Sequence, residues 1–353
     1  MEEPVRALVA FGTRPEAVKM APVVRALGAD PAFDVRVLST AQHREMLDQV
    51  TRLFGLRVDY DLDAMRGRQA LPGLTARILE GASDVLGGAP PDVVLVHGDT
   101  TTTFAVALAA FYAQVPVGHV EAGLRSHRRW EPFPEKMNRR LVSTIATWHY
   151  APTERNRANL VAEGAEACDV WVTGNTVIDA LLSVVSPAYR FHAPELGRVD
   201  FAGRRVIGLT CHRRENLEAP LARMLAAVRE VAERELGRAP RVHLVEPLDY
   251  GDFSNLMARC SLMLTDSGGV QEEAPALDVP VIVLRDVTER PEAVEAGCAL
   301  LAGTTYEGVR RSLGALLDDA ALYARMAAAP DPYGDGHAAE RIRAALREAF
   351  GRA

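Results

Sequence analysis

The sequence predicts an α/β fold made of two Rossmann-like domains facing across a cleft. Three observations predict it. Short apolar runs alternate with helix-length segments through the first half of the chain. A stretch rich in proline and glycine then interrupts the pattern, and the alternation restarts beyond it. The length, 353 residues, also exceeds the ~250–300 residues at which single hydrophobic cores stop growing.

The elements follow in order. Val5–Phe11 reads as the first strand and Pro15–Leu27 as the first helix. Val35–Thr40 is the second strand, followed by a helix over Gln42–Leu53 and another from Leu71 to Leu86. The run Val93–Val96 is a buried strand, Thr102–Ala113 a helix and Val115–Val120 a strand. Such alternation, broken by short Gly/Pro/Asp turns, implies a mostly parallel, doubly wound sheet. Ser186–Gly203 carries Pro187, Pro194, Gly197 and Gly203 and reads as a linker. Beyond it come a strand at Val206–Thr210, a helix at Leu221–Glu235, and strands at Val242–Val245, Leu262–Thr265, Val279–Leu284 and Ala299–Leu301. The expected domains are therefore residues 1–185 and 204–333, joined by 186–203. The last helix, Ala338–Phe350, has apolar residues at Ile342, Leu346, Ala349 and Phe350, and residues 334–353 can pack back on either domain, crossing to the first being one of the two expectations.

Composition is that of a globular protein, 48% hydrophobic and 25% charged. A formal charge of -7 argues against a nucleic-acid or anionic-membrane surface. Four scattered cysteines (Cys168, Cys211, Cys260, Cys298) suggest neither a disulfide framework nor a zinc site. No signal peptide precedes Val5 and no apolar run reaches the ~18 residues of a membrane span. A soluble, cytoplasmic protein is expected.

Three acids in unusual settings dominate the chemistry. Asp99 lies in His97-Gly98-Asp99-Thr100, Glu121 in His119-Val120-Glu121-Ala122-Gly123, and Glu135 in Pro134-Glu135-Lys136-Met137-Asn138-Arg139. Open α/β sheets hold ligands just past the carboxyl ends of their strands, where a carboxylate is costly unless it hydrogen-bonds or reacts. Each has a structural alternative: Asp99 as a helix N-cap, Glu135 as a complement to a helix dipole. Glu121 is the hardest to explain by structure alone.

Gly12-Thr13-Arg14-Pro15-Glu16 joins the first strand to a helix whose free N–H groups favour an anion. Arg14 and Lys19 add charge suited to phosphate, unless they are merely solvated cations beside a turn. The spacing is not that of a dinucleotide fingerprint. In the second half, His212 follows a strand in Cys211-His212-Arg213-Arg214 and could donate to phosphate or move a proton, the alternative being a histidine satisfied in the core. Asp266-Ser267-Gly268-Gly269 offers a turn whose amides can approach a diphosphate, and Glu273 could accept from ribose hydroxyls. A phosphate cradle on each half with carboxylates on the first describes a sugar-nucleotide enzyme.

Phe11-Gly12-Thr13-Arg14-Pro15-Glu16-Ala17, Thr40-Ala41-Gln42-His43-Arg44-Glu45-Met46, His97-Gly98-Asp99-Thr100, His119-Val120-Glu121-Ala122-Gly123-Leu124-Arg125, Thr173-Gly174-Asn175-Thr176, Asp266-Ser267-Gly268-Gly269 and Thr288-Glu289-Arg290-Pro291-Glu292 together resemble the bacterial non-hydrolysing UDP-N-acetylglucosamine 2-epimerases, almost end to end. The resemblance implies a GT-B-like fold, a homodimer, and interconversion of UDP-GlcNAc and UDP-ManNAc without NAD or metal, supplying UDP-ManNAc for surface polysaccharide. It implies that Asp99, Glu121 and His212 serve catalysis and that Glu135 serves catalysis or regulation. Arg14, Lys19, Asp99, Glu121 and His212 would line the substrate site. Ser267, Gly268, Gly269 and Glu273 would hold diphosphate and ribose, with Phe253 and Arg290 as further UDP contacts. Gln42, Arg68 and Arg213 match a regulatory pocket for a second UDP-GlcNAc. One departure stands out. Family members carry a further strand, a His-x-Asn-Pro motif and a helix where this chain runs only Arg238-Ala239-Pro240-Arg241.

The implied chemistry accounts for the residue types. The C2 hydrogen of the sugar is not adjacent to a carbonyl, so breaking the C1–O bond to UDP must first acidify it. Elimination then gives 2-acetamidoglucal beside UDP, and re-addition returns a proton to the other face. A hydrolysing relative releasing ManNAc and UDP, a GT-B glycosyltransferase, and a non-catalytic sugar-nucleotide-binding regulator are the rival readings.

Overall fold

The computed structural model describes residues 3–40, 44–65, 70–125, 130, 133–212, 219–236, 242–288 and 290–352, without the side chains of 44–46 and 232–236. The chain divides into two units, one formed by Met1–Ala180 with Tyr333–Ala353 and the other by Leu181–Pro332.

The first unit is built on a seven-stranded parallel sheet. Its strands are β1 (Val5–Phe11), β2 (Phe33–Ser39), β3 (Tyr60–Asp61), β4 (Val93–His97), β5 (Val117–Val120), β6 (Trp148–Ala151) and β7 (Val170–Val172), in the order β3-β2-β1-β4-β5-β6-β7. Every residue of β4 and β5 is buried, as parallel strands covered on both faces require. The order reverses between β1 and β4, which pair through Ala7 with Val93 and Val9 with Leu95. That reversal is the topological switch point at which such sheets hold ligands.

Helices α1 (Arg14–Gly28), α2 (Arg44–Phe54), α3 (Leu71–Gly88), α4 (Thr101–Tyr112), α5 (Glu135–Ile145), α6 (Glu154–Ala162) and α7 (Thr176–Val184) cover the sheet. Leu8, Val94, Val96, Ile78, Val106 and Val142 form one contiguous core. Helix α1 starts where the sequence places Pro15 in a first turn. Thr13 caps it and Glu16 completes a capping box. In contrast to the N-cap reading of Asp99, the residue that caps α4 is Thr100, which accepts from Thr103 N–H at 3.1 Å. The Asp99 side chain is left to bind elsewhere.

The second unit carries a four-stranded parallel sheet of β8 (Ile207–Thr210), β9 (Leu262–Thr265), β10 (Val281–Val283) and β11 (Ala299–Leu301), ordered β11-β10-β9-β8. Around it lie α8 (Ala219–Leu236), α9 (Tyr250–Met257), α10 (Gly268–Glu273), α11 (Pro291–Ala296), α12 (Tyr306–Asp318) and α13 (Ala320–Ala327). Met224, Leu262, Leu264, Ile282, Val309 and Leu313 share its core.

The strand expected at Val242–Val245 is not formed. Val242 is 79% and Leu244 91% exposed. A period of two makes a strand only where a neighbour supplies the ladder, and β8 ends its sheet with no strand beyond it among the described residues.

Helix α14 (Ala338–Ala349) belongs to the first unit and packs on α1. Ala338 and Ala339 donate their N–H groups to Asp179, Arg347 reaches Asp30 at 3.1 Å, and Phe350 meets Trp148 edge-on. Among the described residues no helix is long and apolar enough to cross a membrane.

Candidate functional site

The first unit gathers its polar residues at the carboxyl ends of β1, β4 and β5. Glu16 organises the floor. It is 2% exposed, and its Oε2 accepts from Gly12 N–H (3.1 Å), Thr13 N–H (2.8 Å) and Thr13 O–H (2.8 Å). Its Oε1 accepts from the hydroxyls of Thr100 (2.6 Å) and Thr103 (3.0 Å). A carboxylate so fully bonded joins the loop after β1 to the start of α4 and has no capacity left for a substrate. At Gly12 a Cβ would stand 2.1 Å from Thr40 Oγ1 and 2.2 Å from Thr102 Oγ1, two atoms that bond each other at 2.8 Å. Only glycine lets the backbone pass there.

Beside this floor Glu121 turns its backbone into the left-handed region, φ +59°, which non-glycine residues rarely occupy. The turn is held by Arg139, whose Nη1 donates to the Glu121 carbonyl oxygen. Arg139 also places Nη2 at 2.6 Å from Asp99 Oδ2 and 3.2 Å from Glu121 Oε1. Lys19 pairs with Glu121 Oε2, Asn175 donates to the same oxygen at 3.2 Å, and His97 Nε2 lies 3.6 Å from it. Burial would raise the Glu121 pKa, but Lys19, His97 and Arg139 hold this carboxyl well below the usual carboxylate range. Glu121 is thus a fixed anion.

Glu135 is set differently. It opens α5, half-buried, with Oε2 enclosed and unbonded among the described residues. Burial, reinforced by the nearby charge of Asp99, raises its pKa despite a backbone hydrogen bond that lowers it. A carboxyl with a raised pKa and an oxygen unbonded among the described residues is suited to take and give protons. His119 is buried and neutral. Burial first, then Arg139, lowers its pKa far below the ordinary value, and Nε2–H donates to Gly98 C=O at 2.8 Å.

The second unit presents the Ser-Gly-Gly turn at the carboxyl end of β9. Asp266, fully buried, accepts from His212 N–H at 3.1 Å and lies 3.3 Å from His212 Nδ1, leaving that ring largely exposed. Ser267 caps α10. Arg290 is pinned by Glu272, Nε to Oε1 at 2.6 Å, and a Cβ on Gly268 would meet its guanidinium at 2.7 Å. At Gly269 a Cβ would make only ordinary contacts, so nothing within the unit itself demands glycine there. Glu273 accepts from Tyr250 O–H at 2.9 Å.

Arg14, Lys19, Asp99, Glu121 and Glu135 therefore lie on the first unit, with Glu121 joined directly to Lys19 and, through Arg139, to Asp99. Ser267, Gly268, Gly269, Glu273 and Arg290 lie together on the second, where Phe253 is half-buried within α9. Gln42, Arg68 and Arg213 lie outside the described residues. Sequence reasoning assigned no role to Arg139 or Asn175. Both stand inside the quoted motifs. The available signal was Arg139 one helical turn after Glu135, which puts a cation on the same face.

A family model described as UDP-N-acetylglucosamine 2-epimerase matches residues 25–347. The UDP-N-acetylglucosamine 2-epimerase of Bacillus subtilis (strain 168) is 47% identical, covering 96% of this chain and 94% of its own. That alignment runs over 360 positions, more than the 353 residues here, so the relative carries residues that this chain lacks. A crystal structure of UDP-GlcNAc 2-epimerase from Neisseria meningitidis bound to UDP-GlcNAc matches with a TM-score of 0.87 at 42% identity, covering 98% of this chain and 100% of that one. The glycosyltransferase SnogD from Streptomyces nogalater, 21% identical with a TM-score of 0.62 over 97% of this chain and 99% of its own, shares the GT-B-like α/β fold.

Proposed function

We propose, for a chain that belongs to the UDP-N-acetylglucosamine 2-epimerase family, a non-hydrolysing isomerase that interconverts UDP-GlcNAc and UDP-ManNAc. The observation that carries this reading is the division of labour among three carboxyls. Glu121 is locked as an anion by Lys19 and Arg139, Asp99 is paired to Arg139 through Oδ2, and Glu135 has a raised pKa and a buried Oε2 with no hydrogen-bond partner among the described residues.

In the forward reaction the C1–O bond breaks and its electron pair leaves with the UDP β-phosphate oxygen. Glu135 takes the C2 proton, leaving 2-acetamidoglucal. Glu135 passes that proton to solvent, and UDP adds back to C1 through its β-phosphate oxygen while a proton drawn from solvent reaches C2 from the opposite face. Glu121 and Asp99 stabilise the positive charge that builds at C1. The second-unit turn has the chemistry to hold UDP. Gly268 and Gly269 leave the phosphates room, Arg290 and His212 oppose their charge, and Glu273 takes a ribose hydroxyl. Elimination and re-addition exchange no net electrons with the surroundings, so the route needs no redox cofactor.

Nothing in this route consumes water, which separates it from hydrolysis. The test is proton NMR of the purified protein with UDP-GlcNAc in heavy water. Deuterium at C2 with a growing UDP-ManNAc signal is expected. Accumulating free ManNAc and UDP would move the chain to the hydrolysing class. By family resemblance the reading extends to a cytoplasmic homodimer activated by a second UDP-GlcNAc through Gln42, Arg68 and Arg213, with its product destined for surface polysaccharide.

A further inference from the structure

Of the 40 lysines and arginines in this chain, only two are lysines, Lys19 and Lys136. Lys19 belongs to the carboxylate cluster. Lys136 does not. It stands on α5 immediately after Glu135, is 6% exposed, and its Nζ has no hydrogen-bond partner among the described residues.

Lys136 lines a half-open cavity of about 930 Å³ within the first unit, bordered by α5, α6 and the residues leading into β6 and β7. This volume falls within the range of small-molecule sites. Helical geometry separates it from the carboxylates. Glu135, Asn138 and Arg139 share one face of α5, the face that reaches Asp99 and Glu121, while Lys136, Arg140 and Ser143 lie about a quarter-turn or more around the helix.

Arg125, Lys136 and Arg140 line the cavity together with the acids Glu163, Glu166 and Asp169, and none of these acids is hydrogen-bonded to Lys136. Arg125 is spent on Glu163, with contacts of 2.9 and 2.7 Å, and on the Ser143 hydroxyl at 3.2 Å. Arg140 approaches the same Glu163 only to 3.9 Å. Burial, then the charges of Arg125 and Arg139, lowers the Lys136 pKa to about 8, with Glu163 opposing. At neutral pH most of the population therefore keeps a buried ammonium with no counter-ion bonded to it among the described residues, an arrangement that is expensive unless an anion completes it. An arginine could not release its proton here, and this chain uses arginine nearly everywhere else.

We propose that the cavity between α5 and α6 is a second ligand site, which takes a small oxyanion, a phosphate or carboxylate group, on Lys136 and Arg140. The site is separate from the epimerisation chemistry and does not depend on that reading. Its ligand touches the same helix that holds Glu135 and Arg139.

With two lysines in the chain, protein labelled with ¹³C at lysine Cε gives two side-chain signals, assigned through Lys136→Arg. The probe is inorganic phosphate, titrated at constant ionic strength into protein saturated with UDP to occupy the second-unit turn. A saturable shift of the Lys136 signal is expected, with its titration midpoint rising and the Lys19 signal still. Lys136→Met should weaken phosphate binding at least tenfold by calorimetry. The proposal fails if the Lys136 signal follows chloride as it follows phosphate, or stays fixed. It also fails if Lys136→Met binds phosphate as the parent does. Should Lys136→Met not fold, the labelled parent protein decides the matter alone.

Discussion

Arg139 Nη2 lies 2.6 Å from Asp99 Oδ2, and the same guanidinium holds both the carbonyl and a carboxyl oxygen of Glu121. One side chain from α5 thereby fixes the residues that follow two strands. Removing a partner from a buried charge cluster leaves the others uncompensated and costs roughly 3–5 kcal/mol. Arg139→Met should lower stability by about that amount in urea unfolding. Arg139→Lys, which keeps the charge but loses the fork, should recover much of the stability and little of the epimerisation rate.

Glu16 is expected to be structural although it sits in the most recognisable motif of the first unit. Its five donors come from Gly12, Thr13, Thr100 and Thr103. Glu16→Ala strands several of them and should cost about 3 kcal/mol, read as a lower unfolding midpoint. UDP affinity of the folded fraction should be unchanged in calorimetry.

Glu135→Gln should abolish epimerisation and leave UDP binding intact. The stability change has a sign that can be checked. Because the folded pKa is raised, the unfolded chain gives up this proton first as pH increases. Stability therefore falls as pH climbs from the ordinary glutamate value to the raised one. The glutamine variant should lack that fall, so its advantage over the parent appears at neutral pH and vanishes in acid.

His149 gives the opposite dependence. Burial lowers its pKa from 6.5 to about 4, with Asp169 opposing and Arg125 assisting. The unfolded chain thus binds a proton between those values that the folded chain refuses. Stability should be full above pH 6.5 and decline as pH falls toward 4, by roughly 3 kcal/mol from this residue. Unfolding curves at pH 7 and pH 4.5 measure the difference, and His149→Phe should reduce it.

Gly268→Ala tests the second-unit turn. The new methyl would occupy the place of the Arg290 guanidinium, which Glu272 holds at 2.6 Å. Displacing Arg290 should weaken UDP binding about tenfold, ~1.4 kcal/mol. Gly269→Ala meets no such neighbour in the protein. Any loss of UDP affinity there reports the ligand's own approach.

Much of this was legible in the sequence because buried parallel strands announce themselves as apolar runs. Val93–Val96 and Val5–Phe11 are examples, and the acids that follow β4 and β5 fall where such sheets place their chemistry. The short strands Trp148–Ala151 and Val170–Val172 were not legible, since three or four residues carry no period. Val242–Val245 carried the pattern but lacked a neighbour. Arg139 was hidden for a different reason: a cation on a helix looks solvated until the structure shows the two carboxyls that bury it.

The bare flank of β8 has a consequence for how the second unit comes apart. Strand β8 bonds β9 on one side, and no strand covers its other side among the described residues. Nearby in sequence, past α8, Val242 and Leu244 stand in water. Amides along that flank have no strand partner among the described residues, so hydrogen exchange should begin there and spread inward to β9 and β10. The same flank is a template on which extended segments of other molecules can add, which makes the loss of the second unit's order a concentration-dependent event rather than a private one.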